Sequence, residues 1–265
     1  VKQRVDALLA AGGLAPSREQ AQRLIMAGQV YVGEVKVLKP SQLFEADAHL
    51  TVRGDSDPFA SRGAHKIEKA LSFFEGEVTG LVCMDIGAAS GGFTDALLRR
   101  GAALVYAIDV GYGQLEWRLR QDPRVVVMER TNARQLLPEQ FTRRPSLCVM
   151  DVSFISIRLI LPVAAAIMGQ EGRFLTLIKP QFEAGRGQVG KNGVVRQADI
   201  HTRVLREIRD FCPSFGWTLR SFTYSPIKGP KGNIEFLADI RPGPGEAPGD
   251  AVIQALVDQA HEALR

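Results

Sequence analysis

At 265 residues the chain has room for one large domain, or for a large and a small one. With 45% hydrophobic and 23% charged residues it has a globular composition, which excludes a disordered or fibrous chain. The formal net charge of +4 suits an anionic partner without demanding one. The longest apolar run, residues 159–168, is about half of what a membrane span needs, and it follows Arg158 directly. Cys83, Cys148 and Cys212 form no C-x-x-C pair, and His49, His65, His201 and His261 lack metal-ligand spacing. Buried free thiols and no metal are therefore expected. The charged, amphipathic stretch 2–11 does not read as a signal peptide, so a soluble, cytoplasmic protein without a membrane partner is expected.

In chain order, Val5, Leu8 and Leu9 recur at helical spacing before the stop signal Gly12-Gly13. Ser17 and Gln20 read as a capping box opening a second helix through Ala21, Leu24 and Ile25, which Gly28 ends. Residues 30–37 read as a small hairpin and 50–52 as a returning strand. This module is too small to be an enzyme. Lys2, Arg4, Arg18, Arg23, Lys36 and Lys39 stand against Asp6, Glu19 and Glu34, a balance that fits a phosphate backbone or simply a solvated face. The ordered series Ser17-Arg18, Ala21, Ile25, Gly28, Val30, Val32, Gly33 and Lys39-Pro40 resembles the S4 RNA-binding domain across residues 2 to 52. That resemblance implies a two-helix face that grips structured RNA, with Arg4, Arg18, Arg23 and Lys36 as its contacts.

The polar, turn-prone Gly54-Asp55-Ser56-Asp57-Pro58 marks a boundary. The expected layout is a small α+β domain over 1–54, a linker over 55–61, a large domain over 62–241 and a tail over 242–265 with a peripheral helix. Strands are expected at 82–86, 104–109, 125–128, 147–151, 174–178, 219–224 and 235–240. Helices are expected at 93–100, 156–166 and 199–211. This alternation predicts an α/β fold, a mainly parallel sheet covered by helices on both faces, with an antiparallel hairpin at one edge.

Ligands in such sheets bind at the carboxyl ends of the strands. The first strand ends in Asp85 and turns on Gly87-Ala88-Ala89-Ser90-Gly91-Gly92 into a helix starting at Phe93. The dinucleotide fingerprint fails because Ala89 occupies its second glycine position. The pattern is more similar to the first motif of S-adenosylmethionine-dependent methyltransferases. Asp109 lies where an acid would hold a ribose, or else caps a helix. Asn132 suits either an adenine edge or a turn cap. Asp151 and Lys179 end neighbouring strands, and a lysine buried there without a partner would be costly. Glu235 adds a third charge, or is an ordinary edge-strand charge.

The segments S-R-G-A-H-K-I-E-K-A-L, M-D-I-G-A-A-S-G-G-F-T-D, I-D-V-G-Y-G-Q-L, M-D-V-S-F-I-S-I, I-K-P-Q-F-E-A-G and K-G-N-I-E-F resemble the FtsJ-like ribose 2′-O-methyltransferases. With the S4-like module in front, residues 2–241 resemble the TlyA family, which also carries a hemolysin label. The resemblance implies a seven-stranded class I methyltransferase fold and the catalytic set Lys66, Asp151, Lys179 and Glu235. It implies S-adenosylmethionine as cofactor, held by Asp85, Gly87, Ala88, Ser90, Gly91, Gly92, Phe93, Asp109 and Asn132. It also implies ribosomal RNA or ribosomal subunits as the partner, with a cytidine as target and no obligate protein partner. Ser90 stands where many relatives have proline and Ala64 where a glycine is common, but neither change removes a charge. Lys179 would accept the 2′-hydroxyl proton or orient the oxygen. Between Arg173 and Lys231 eleven Lys or Arg face four acids, and Arg62, Arg186 and Lys191 join the expected RNA contacts. A non-catalytic RNA-binding assembly factor and a membrane-active hemolysin are the alternatives.

Overall fold

The computed structural model describes residues 2–33, 35–52, 59–185 and 187–265. The chain divides into two compact units, Val1–Pro58 and Phe59–Arg265. Residues 55–58 of the expected linker lie outside the described residues. Phe59 and Ala60 belong to the second unit, where the Ala60 N–H donates to the buried Asp95 carboxylate at 2.9 Å.

The first unit runs β1 (Lys2–Arg4), α1 (Val5–Ala11), α2 (Arg18–Met26), β2 (Val30–Val32), β3 (Val35–Lys36), β4 (Leu43–Glu45) and β5 (Leu50–Val52). Ser17 caps α2 by accepting the Gln20 N–H at 3.1 Å. Strand β2 lies between β3 and β5, antiparallel to both, as the hairpin pattern requires. The antiparallel pair β1–β4 has no counterpart in the sequence reading, because its residues in β1 are polar and exposed and show no apolar alternation. Val5, Leu9, Ala21, Leu24, Ile25 and Val30 form the core between the helices and the sheet.

The second unit contains α3 (Ala64–Phe73), β6 (Val82–Ile86), α4 (Gly92–Arg99), β7 (Leu104–Ile108), α5 (Trp117–Arg120), β8 (Val125–Met128) and β9 (Leu147–Met150). It continues with α6 (Leu161–Met168), β10 (Arg173–Ile178), α7 (Pro180–Glu183), α8 (Ala198–Phe211), β11 (Trp217–Tyr224), β12 (Phe236–Pro242) and α9 (Asp250–Ala263). The helix expected from 156 is shorter. Ser156 caps a 3-10 turn at Ile157–Leu159, and the α-helix begins only at Leu161, with Pro162, whose ring needs no N–H partner, in its first turn.

The sheet order is β11-β12-β10-β9-β6-β7-β8, parallel except for β12. The expected terminal hairpin forms, but β12 does not sit at the edge. It inserts between β10 and β11, with Ile178 opposite Phe236. The order reverses between β6 and β9, which is where an open α/β sheet leaves a crevice. Strand β6 is wholly buried, as its apolar run between two helical layers demands. Most residues of the tail helix α9 are exposed, and it buries one stripe, Ile253, Val257 and Ala260. They pack in the same core as Val204, Leu205 and Ile208 of α8.

Candidate active site

Register brings the charged residues together. Ile86 lies opposite Met150, so Gly87 and Asp151 follow side by side, and the pairing of Ile178 with Phe236 sets Lys179 beside Glu235. Lys66 enters from the first turn of α3. Its Nζ donates to Glu235 Oε2 at 2.7 Å and to Asp151 Oδ2 at 3.4 Å. Asp151 Oδ1 lies 2.5 Å from Lys179 Nζ, which also donates to Ser153 Oγ at 3.1 Å. The charges alternate, and each lysine has a carboxylate partner, as burial demands. Glu235 is 1% exposed; it also accepts from Gln181 Nε2 at 3.2 Å. A Cβ at Gly229 would come within 2.6 Å of Glu235 Oε1, so glycine makes room for the carboxylate. Burial pulls the Lys66 pKa down, but Asp151 and Glu235 together outweigh it and hold the group above its ordinary value.

The glycine turn is bolted to the neighbouring strand: the Gly87 and Ala88 N–H groups donate to Ile108 O at 2.8 and 3.1 Å. Gly87 has φ +88°, and a Cβ there would meet the Asp151 carbonyl oxygen at 2.7 Å. Ala89 takes a left-handed φ of 46°, and its N–H donates to Asp109 Oδ2 at 2.9 Å, while Asp109 Oδ1 accepts from Gly111 N–H at 2.7 Å. Asp109 is thus a clamp between two loops and does not cap a helix. Beside it a cavity of about 370 Å³ is lined by Gly87, Ala89, Asp109, Asn132, Asp151 and Phe154, with Ile108, Val110, Ala133 and Ile155 as apolar walls. Asn132 Oδ1 accepts the Arg134 N–H at 3.1 Å, so the residue caps a 3-10 turn while lining the cavity.

The other expected cofactor residues lie away from its walls. Asp85 is fully buried and accepts from Thr94 Oγ1 at 2.7 Å, and burial pushes its pKa up to about 7, with Asp151 adding to the rise. Phe93, Gly91 and Gly92 are buried, Ala88 is 6% exposed, and the Ser90 carbonyl accepts the Glu116 N–H at 3.2 Å. These residues build the turn. A Cβ at Gly91 would strike Leu119 and Leu115, and one at Gly92 would strike Ser61.

Residues 59–240 match the FtsJ-like methyltransferase family, and residues 3–49 match the S4 domain. The chain belongs to the FtsJ-like methyltransferase family. It is 44% identical over 262 residues to the 16S/23S rRNA (cytidine-2′-O)-methyltransferase TlyA of Mycobacterium tuberculosis, a match covering 98% of this chain and 97% of the relative. To the protein named hemolysin A of Brachyspira hyodysenteriae it is 42% identical over 236 residues, 89% of this chain and 98% of that one. A solved structure described as a candidate hemolysin from Streptococcus thermophilus superposes with a TM-score of 0.79 at 44% identity, covering 99% of this chain and 96% of the other. Among the described residues no helix is long and apolar enough to cross a membrane, and no three His, Cys, Asp or Glu could hold a metal ion.

Of the basic residues expected to meet RNA, this FtsJ-like methyltransferase pairs Arg4 and Arg18 with Asp6, and Arg23 with Glu19 at 2.7 Å. Lys36 and Arg62 are exposed. Arg186 and the side chain of Lys191 lie outside the described residues. Sequence reasoning missed four side chains at the rim. Ser153 and Gln181 bond the charged cluster, and their adjacency to Asp151 and Lys179 was the available signal. Glu183 is buried, accepts from Ser156 Oγ at 2.6 Å and from Ile157 N–H at 2.8 Å, and so ties the loop after β9 to α7. That loop carries Phe154, which is 88% exposed at φ +63°, a conformation costly for an aromatic residue. Its ring centroid lies 5.2 Å from that of Phe182.

Proposed function

We propose that the chain is an S-adenosylmethionine-dependent methyltransferase that modifies the ribose 2′-oxygen of ribosomal RNA, at a cytidine as in its similarity to TlyA. The observation that carries the reading is the alternating cluster Lys66–Glu235 and Lys179–Asp151, buried at the rim beside the cavity. The cavity suits the cofactor: Asp109 and Asn132 offer polar groups for a ribose and a base edge, between apolar walls that suit a flat ring. Bound there, S-adenosylmethionine supplies an electrophilic methyl group on a sulfonium.

The chain's own residues handle the acceptor. A lysine ammonium has three donors. Ser153 Oγ accepts one of those on Lys179, and the Asp151 carboxylate lies beside the ammonium as an ion pair, so donors of Lys179 remain for a 2′-oxygen. Lys66, held above its ordinary pKa by two carboxylates, stays cationic and keeps Asp151 and Glu235 in place without taking a proton. Transfer would form the oxygen–carbon bond as the methyl–sulfur bond breaks with its electron pair on sulfur, the hydroxyl proton passing to solvent, and holding that oxygen in line supplies most of the acceleration.

The test is incubation of purified protein and radiolabelled S-adenosylmethionine with each ribosomal subunit, followed by nucleoside mass spectrometry. The expected product is 2′-O-methylcytidine. Lys179→Ala should abolish incorporation while RNA retention survives. Incorporation retained in that variant overturns the role of Lys179. A base-methylated product, or none from the unaltered protein, overturns the function.

A further inference from the structure

Asp6 opens α1 and has 0% exposure, yet three polar side chains from two other places converge on it. Arg4, at the end of β1, donates from Nε to Oδ1 at 3.1 Å and from Nη2 to Oδ2 at 2.8 Å. Gln22 Nε2, from the second turn of α2, donates to Oδ2 at 2.8 Å, and Arg18 Nε, from the first residue of α2, lies 3.1 Å from the same oxygen. Arg4 chiefly, then Gln22 and Arg18, hold the carboxyl well below the usual range despite its burial.

The fold alone has no need of such a cluster, since buried ionic groups are commonly replaceable by apolar side chains at no loss of stability. The outward side is what differs. The Arg4 and Arg18 side chains remain 42% and 54% exposed. A guanidinium carries five N–H donors in a planar fork. Arg4 turns two of them inward and Arg18 one, so the rest face outward from two anchored planes. Two arginines against one aspartate leave the cluster with a surplus positive charge. Fixed forks of this kind match phosphate oxygens in a bidentate way, and anchoring them beforehand removes the entropy cost of ordering them on binding.

We infer that Asp6 is a positioning residue that sets Arg4 and Arg18 as a paired clamp for neighbouring phosphates of a folded ribosomal RNA. This rests on the reading of RNA as the substrate.

The full-length chain tests it through steady-state methylation of ribosomal subunits. Asp6→Asn should raise KM for the subunit roughly tenfold with kcat at saturating subunit retained, because the forks lose their anchor while the chemistry stays in the second unit. The slope of log KM against log salt should become shallower by about 1 to 2, the counterions of one or two phosphate contacts. In an R4Q/R18Q background, Asp6→Asn should add almost nothing. A further loss there as large as in the unaltered protein shows that Asp6 acts only through stability, and overturns the inference. Arg18→Lys keeps the charge without the fork and guards against a D6N chain that fails to fold. It should raise KM as much as R18Q does, and an unchanged KM overturns the clamp. An unchanged KM in R4Q/R18Q, from an enzyme that still methylates subunits, overturns the clamp and leaves the proposed function standing. A parent protein that methylates no RNA overturns both.

Discussion

Glu235→Gln removes one charge from the buried cluster and leaves its shape. Lys66 Nζ sits 2.7 Å from Glu235 and 3.4 Å from Asp151. At an effective dielectric of about 20, these separations correspond to gross attractions of about 6 and 5 kcal/mol. Burying the ammonium costs several kcal/mol, so Asp151, which Lys66 shares with Lys179, roughly offsets that cost alone. The net loss should be about 3 kcal/mol, at the low end for a broken buried pair because one partner stays. For a domain of this size that is a fall of about 6–12 °C in Tm, read by circular dichroism at neutral pH. Lys66 is held above its ordinary 10.5, so its contribution is full below that value and is lost as pH rises through the folded pKa. The deficit of the variant should therefore narrow at high pH. The double variant K66M/E235L, with an apolar pair in place of the charged one, should recover most of the lost stability and transfer no methyl groups. A Glu235→Gln protein melting within about 2 °C of the parent, with no change in that gap at high pH, would refute the reasoning.

Phe154→Ala should leave Tm nearly unchanged, because the ring is exposed, yet lower kcat/KM for RNA roughly tenfold if a target base stacks there. Titrating RNA at saturating cofactor checks it. Burial, then the charge of His261 at 2.9 Å, pushes the His201 pKa down to about 4 from 6.5. The unfolded chain then binds the proton first, so stability is full above 6.5 and falls by about 3 kcal/mol on acidification to pH 4. A His201→Gln protein should melt with a weaker dependence on pH over that window. Gly87→Ala should drive a methyl group into the Asp151 carbonyl at 2.7 Å on a backbone with φ +88°, with losses of both activity and Tm. Calorimetric binding of S-adenosylmethionine and a melting curve read the two effects separately.

Much of the fold was legible because its signals are local. Apolar runs stop at Asp85, Asp109, Asp151 and Lys179, so strand ends can be read along the chain, and one rim follows from parallel alternation. Pairing across the sheet is not local. Nothing near Phe236 says that its strand slips between two others, and that slip sets Glu235 beside Lys179. Burial is equally silent in the sequence: Asp85 reads as supporting either the turn or the cofactor, and it lies under the turn, bonded to Thr94. Asp6 reads as a counter-charge on a basic face, because its partners Arg18 and Gln22 come from another helix. Phe154 reads as one more apolar residue until its φ is known.

The insertion of β12 also orders events in time. Strand β10 has β9 on one side, and its other edge is taken by residues 236–240, made some sixty residues later. While the protein is being made, that edge keeps its backbone N–H and C=O groups open until residues 236–242 emerge, and an open edge is a template for wrong pairing. The same residues bring Glu235 to Lys66 across 169 positions. The cluster therefore closes only after Glu235 has been made, and a shorter nascent chain leaves Lys66 without that carboxylate.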